Sequence, residues 1–346
     1  MEWMDQTRQY IGRLLGQCGL DPHEAAYHVI ADLPGARVRK YLNKNEKSEL
    51  NLLIIPAPFK QVYIWDLMPN ISVVRQFLSR GINVYALEWT LPTQREDDFG
   101  LLEYAHHLPM AAIEVIEAES GGRVQIIAGH SLGGTFAAIF ATLFPERLQK
   151  LVLIDSPLAF GEHGGPIANA AAAIPSLETL HLLVGSPVPG SFINILSVSA
   201  SPEVFQFQRF TDLTASWFDP QALEIHTRVG RWTYDELPLP WHLFEETIEQ
   251  LFRKDRFLKG TLQIGNRRTG ITKLKTPTLA IINPPGKVVP PNSLLKALAI
   301  VPNLPVAVLT YQADYGPMFQ HLGPLVSPLA HKELWPQVLD WVMEYS

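Results

Sequence analysis

Apolar residues in this chain gather into short, nearly unbroken runs separated by longer amphipathic stretches. Six runs stand out: "NLLIIPA" from Asn51, "INVYALEW" from Ile82, "VQIIAG" from Val124, "KLVLIDSP" from Lys150, "PTLAIIN" from Pro277 and "PVAVLTYQ" from Pro305. Short runs rich in Val, Ile and Leu, bounded by Pro, Gly, Asn or Asp, predict strands. Between them, apolar residues at helical spacing predict helices near 72–80, 104–118 and 135–144, with a last helix near 333–344. Strands alternating with helices imply a mostly parallel sheet covered by helices.

That rhythm fails from 159 to 275. This stretch holds Ala/Pro/Gly-rich apolar sequence ("IANAAAAIPSL", "LLVGSPVPGSF") and then Trp- and Phe-rich helical sequence. It reads as an insertion into an otherwise regular α/β core.

Within "VQIIAGHSLGGTFAAIF" lies Gly129-His130-Ser131-Leu132-Gly133, a match to G-x-S-x-G, with Gly134 as an additional small residue. In such a nucleophile elbow a sharp strand-to-helix turn holds the serine in a strained conformation, and its neighbours must be small so that strand and helix approach. The hydroxyl of Ser131 is then presented above the sheet, and the Leu132 N–H is free to donate to a developing oxyanion. The arrangement is similar to that of α/β-hydrolases, which carry a cap inserted at the point where the rhythm fails here. The expected organisation is an N-terminal helical or extended segment over 1–48, a core over 49–158 and 276–346, and a cap over 159–275.

Composition narrows the classes. The 346 residues are 47% hydrophobic, enough for one large core with an insertion. With 28 basic against 34 acidic residues the net charge is −6 and no basic block occurs, which argues against a nucleic-acid partner. The single cysteine, Cys18, excludes internal disulfides. The N-terminal sequence is charged early, and no run is long enough for a transmembrane helix, so a cytoplasmic protein is expected.

Several segments, taken in order, resemble polyhydroxyalkanoate synthases: "LLIIPAPFKQVYIWDLMPNISVVRQFLSRGINVYALEW", the elbow, "DSPLAFG", "DELPLPWHLFEETIEQLFRKDRFLKGTLQIGNRRTGITKLKTPTLAI" and "QHLGPLVSPLAHKELWPQVLDWV". The likeness covers roughly residues 50–342. It implies an α/β-hydrolase fold with a cap, acyl-enzyme chemistry on an ester or thioester with a 3-hydroxyacyl-like chain, and no cofactor. The chain length resembles the short synthase class, which implies a partner subunit, with a homodimer as the other arrangement. Association with polyester granules is a further implication of the resemblance.

Two positions depart from that family. Its nucleophile is cysteine, where this chain has Ser131. Serine depends wholly on an adjacent base, whereas a thiol ionises readily, so the change favours hydrolysis or slow acyl transfer over polymerisation. The family's acid is an Asp after the strand "LAII", and here "NPPGKVVPP" puts Gly286 in its place. A substitute acid is expected at Asp155, with Asn283 and Asp314 as rivals; a structural role for Asp155 stays open.

The base is expected at His321, in a segment resembling the family's Gly-His-x-Gly with Gln320 replacing the glycine; the order Ser then His also suits the fold. His331 is the rival, expected on the solvated edge of the last helix. The second oxyanion donor should come from "PAPFKQ", where Pro56 and Pro58 lack an N–H, leaving Ala57 and the favoured Phe59. His130 is expected to pack rather than react, and Trp65, Trp89 and Trp217 to line an acyl site or the core. Neither His106–His107 nor "GEHGGP" has metal-ligand spacing, and nucleotide-binding glycine motifs are missing. Three functions are therefore carried forward: serine-dependent acyl transfer or hydrolysis, a non-catalytic relative that binds acyl chains, granules or a synthase partner, and a general carboxylesterase or lipase.

Overall fold

A computed structural model of the chain describes residues 2–43, 50–200, 219–311 and 321–344. Helix α1 (Glu2–Leu15) precedes a hairpin of β1 (Tyr27–Leu33) and β2 (Ala36–Tyr41). Then come β3 (Asn51–Ile55), the small hairpin β4 (Asp66–Met68) and β5 (Ile71–Ser72), α2 (Val73–Ser79), β6 (Asn83–Trp89), α3 (Leu108–Ser120), β7 (Val124–His130), α4 (Leu132–Leu143) and β8 (Lys150–Ile154). All six apolar runs are strands, and the helices stand where their periodicity predicts.

Eight strands form one sheet in the order β1-β2-β6-β3-β7-β8, followed by β11 (Thr278–Ile282) and β12 (Val306–Thr310). From β6 to β12 every pairing is parallel, while β1 and β2 join antiparallel at one edge. The segment expected to stand outside the core therefore supplies two of its strands. Their mixed polarity follows from the edge position, since β1 is only partly buried and pairs on one side. The turn between them is Pro34-Gly35, with Gly35 at φ 82°.

The inner strands are buried on both faces. Leu53, Ile55, Leu151 and Leu153 pack with α3 and α4 on one side, and Leu52, Ile54, Val152 and Ile154 pack with α2 and the C-terminal helix on the other. Helix α4 is enclosed almost all round, which its Gly, Ala and Thr residues allow without crowding.

Residues 159–275 contain α5 (Gly165–Ala172), α6 (Leu177–Val184), α7 (Gly190–Ala200), α8 (Pro220–Trp232) and α9 (Trp241–Glu246), with the small hairpin of β9 (Leu262–Ile264) and β10 (Arg267–Thr269). None of these strands joins the main sheet. After β11 come α10 (Pro291–Ala299), β12, the short α11 (Gly323–Val326) and α12 (Trp335–Met343). Among the described residues no single helix is long and apolar enough to cross a membrane, although α5 and α6, bent at 93°, pass that test as a pair.

Candidate active site

Strand β7 ends at His130, and α4 begins at Leu132, so the whole reversal falls on Ser131. Its backbone lies at φ 55°, ψ −133°, a conformation costing roughly 1–3 kcal/mol for a residue with a side chain. Three glycines make room for it. A Cβ on Gly129 would lie 2.5 Å from the Cα of Gly134; one on Gly133 would run into the Ile55 and Pro56 carbonyls; one on Gly134 would strike the Ser156 side chain. The Ser131 N–H donates to the Ile154 carbonyl at 3.0 Å, which ties the turn to β8. The Ser131 carbonyl accepts from Gly134 and Thr135 N–H, leaving the Leu132 N–H at the helix start without an intrahelical acceptor.

Against the elbow lies the turn after β3. Its start is fixed by Trp89, whose Nε1–H donates to the Pro56 carbonyl at 3.1 Å, and it is closed by Lys60 N–H to the Ala57 carbonyl at 3.1 Å. Trp89 is thus a brace behind the turn. Trp65 is buried and forms part of the cavity wall.

A cavity of about 280 Å³ opens over Ser131. Leu132, Ala57, Phe59 and His321 all line it, and its remaining wall is mostly Ala, Ile, Leu, Val and Phe from α5, α7 and 239–252. Ser131 and His321 thus share one chamber, although no hydrogen bond joins their side chains at rest. Catalytic hydrogen bonds commonly tighten only when substrate arrives.

Behind His321 stands Asp155, a buried residue at the end of β8 with φ 41°. Its Oδ1 accepts the Asn283 backbone N–H at 3.0 Å, and its Oδ2 lies 3.8 Å from His321 Nδ1, beyond hydrogen-bond distance. Neither of those two facing atoms has another partner among the described residues. Burial pushes the Asp155 carboxyl well above the usual carboxylate range, with the Asn283 N–H pulling weakly the other way. Burial, with smaller contributions from His130 and the Lys60 charge, holds His321 well below the ordinary histidine value. Burial thus biases both groups toward their neutral forms.

Asn283 reaches this pair through its main chain. Its side chain is fully buried, and neither amide atom has a partner among the described residues. Asp314, Gln320 and Trp217 lie outside the described residues. The position that the synthase resemblance marks for an acid is closed in this fold: a Cβ on Gly286 would come within 2.8 Å of the Asn283 carbonyl, which accepts the Gly286 N–H.

His130 holds the loop that carries His321. Its Nε2 is bonded to the His321 carbonyl at 2.8 Å, which requires the Nε2–H tautomer, and the two rings sit 4.5 Å apart. Burial lowers its pKa to about 4. His331 is not on a solvated edge: it is buried, with Nε2 bonded to the Leu325 carbonyl at 2.9 Å, because it sits in a turn of helix that starts before the amphipathic α12. His106 packs on Phe144, and His107 faces Glu103 at 3.5 Å. Among the described residues no cluster of three or more His, Cys, Asp or Glu could hold a metal ion.

One part of the site escapes sequence reading. Lys60 and Glu236 both line the cavity and pair with each other across 176 positions. The only hint in the sequence is a lysine placed in the turn after β3.

Known proteins resemble this chain in sequence and in fold. A poly(3-hydroxyalkanoate) polymerase subunit PhaC from Haloferax mediterranei is 24% identical over 90% of this chain, which spans 62% of that relative's length. The subunit from Synechocystis is 24% identical over 85% of this chain and 77% of its own length, and that from Thiocystis violacea is 24% identical over 85% and 81%. Among solved structures, Bacillus subtilis carboxylesterase CesB (TM-score 0.54, 14% identity, 99% of each chain) and Paleococcus ferrophilus monoacylglycerol lipase (TM-score 0.52, 15% identity, 90% of this chain and 99% of that one) share the fold. The alpha/beta hydrolase family profile matches residues 61–343, and the chain belongs to that family.

Proposed function

We propose that this protein transfers or hydrolyses acyl groups through an acyl-enzyme on Ser131. His321 takes the Ser131 proton as Oγ attacks an ester or thioester carbonyl, and it returns that proton to the departing alcohol or thiol as the carbon–heteroatom bond breaks. Water or a hydroxyl then repeats the exchange and releases the acyl group. The Leu132 N–H and the Ala57 N–H receive the oxyanion; Ala57 is chosen over Phe59 because Pro56, its neighbour, is the residue packed on Gly133. Asp155 supports the ring once it becomes charged, closing the 3.8 Å gap to a hydrogen bond. Residues 159–275 act as the cap over the apolar chamber, which suits an aliphatic acyl chain. The likeness to polyhydroxyalkanoate polymerase subunits supports a hydroxyacyl group as that chain.

The observation that carries this reading is Ser131 itself: a residue with a side chain held at φ 55° among three glycines, on the wall of the chamber that also holds His321. A second reading has one observation in its favour, the unbonded Asp155–His321 pair with both groups biased to neutrality, and it makes the protein an acyl-chain binder without turnover. Short p-nitrophenyl esters and a 3-hydroxybutyryl thioester separate the two. A burst of product equal to the enzyme, with the acyl mass on the Ser131 peptide, supports the acyl-enzyme. Saturable binding of the chain without burst or turnover supports the binder.

A further inference from the structure

The turn that carries the proposed oxyanion donor is fastened from outside the sheet, and the fastening runs to helix α1. Leu237 N–H donates to the Phe59 carbonyl at 3.0 Å, and Trp232 Nε1–H donates to the Gln61 carbonyl at 2.8 Å. Lys60 Nζ pairs with Glu236 and lies 4.7 Å from the Trp232 ring centroid. All three anchors come from residues 232–237, the last residue of α8 and the segment that follows it.

Glu236 is the hub of this clamp. Its side chain is only 2% exposed. One oxygen takes Lys60 Nζ and the Asn194 amide at 3.2 Å, and the other takes Arg8 Nη2 at 3.1 Å. Arg8 also donates to the Thr233 carbonyl at 2.6 Å, so α1 grips both the main chain and the carboxylate of the same segment. Asp5, one turn earlier, accepts from Gly190 and Ser191 N–H at 2.9 and 2.8 Å and fixes α1 to the start of α7. A buried carboxylate stripped of one partner is strongly destabilised, so these contacts stand or fall together.

We propose that Glu236, held by Arg8, is a positioning residue that ties helix α1 to the oxyanion turn and sets the turn amide against Ser131. The proposal rests on the acyl-enzyme reading above. Its sequence partners are 228 residues apart, which makes the N-terminal helix a working part of the site. A donor displaced by about an ångström forfeits roughly 10²-fold in rate, so loosening the clamp acts on the chemical step while leaving the chamber open.

The test uses the full chain with Arg8→Met, Arg8→Lys and Glu236→Gln. Arg8 is 24% exposed, and Glu236→Gln keeps an acceptor for Lys60, so neither change removes core packing. Three quantities are measured per active site titrated with a fluorophosphonate: the acylation rate, KM for a short aryl ester, and the affinity of a trifluoromethyl ketone, which forms an oxyanion on the serine. Arg8→Met should lower both acylation rate and ketone affinity by about 10- to 100-fold, with KM held within about twofold and Arg8→Lys restoring most of the loss. Wild-type rates in Arg8→Met and Glu236→Gln, or a loss seen only in KM, would overturn the clamp while leaving the acyl-enzyme intact. A wild-type protein that never reacts at Ser131 would overturn the acyl-enzyme reading and the clamp with it.

Discussion

The two halves of the site are built by different means. At the nucleophile, strain and packing leave no alternative: Gly129, Gly133 and Gly134 are each pressed against backbone or Ser156, and Ser131 is bonded to β8. On the acid side, Asp155 is held by one main-chain N–H, its other oxygen stops 3.8 Å from His321, and Gly286 leaves no side chain in the turn. On the proposed acyl-enzyme reading, a rigid nucleophile beside a loosely joined acid and base means a serine that is always presented and a relay that must close on substrate. The contrast also separates the functional readings, since only the acid side differs between a working enzyme and a binder.

Three substitutions and two pH effects break or sharpen that contrast. Asp155→Asn should have the largest effect, lowering acylation by up to about 10⁴-fold if the relay closes on substrate. Stopped-flow acylation checks it, and a rate within about threefold of wild type would leave Asp155 a purely structural residue. Gly133→Ala comes next: its Cβ has no space beside Ile55 and Pro56, so chemical denaturation should show a loss of about 3 kcal/mol.

Two pH effects follow from the buried histidines. Because the His321 pKa is held low, the ring stays neutral and able to accept a proton as the pH falls, so acylation should persist below about pH 6.5. An acidic limb above that value would mean that Asp155 is already ionised against the ring. His130 and His331, both lowered to about 4, are buried neutral, while in the unfolded chain each takes up a proton below about 6.5. The contribution of these two rings to stability is therefore complete above about pH 6.5 and should decline from there toward pH 4, by up to roughly 1.4 kcal/mol per pH unit for each ring, as denaturation midpoints of the wild type against His130→Gln and His331→Gln across that range will read. The smallest effect belongs to Gly286→Asp. It should cost about 1 kcal/mol and bring no gain in acylation, because the Asn283 carbonyl occupies the space.

What the sequence reveals follows the same division. The elbow is local, so Gly129 to Gly134 declare it outright, and the six apolar runs declare six strands, of which only Val306–Thr310, at the sheet edge, is left partly exposed along its length. The β1–β2 hairpin lacks the unbroken apolar run that marks the inner strands: in Tyr27–Leu33 polar His28 and Asp32 interrupt the apolar residues, and Pro34-Gly35 alone marks the turn. The contacts that finish the site are long-range. Asn283 meets Asp155 through its backbone across 128 positions, and Glu236 meets Lys60 across 176, and no residue pattern records either. His331 looks like a helix-edge residue until the fold buries it.

The most direct test of the account is the rate of fluorophosphonate labelling for the wild type beside Ser131→Ala, His321→Ala and Asp155→Asn. The account predicts rapid labelling of the wild type on the Ser131 peptide, none in Ser131→Ala or His321→Ala, and slow labelling in Asp155→Asn. No reaction of the wild type under conditions where a control serine hydrolase is labelled, or undiminished reaction in His321→Ala, would contradict it.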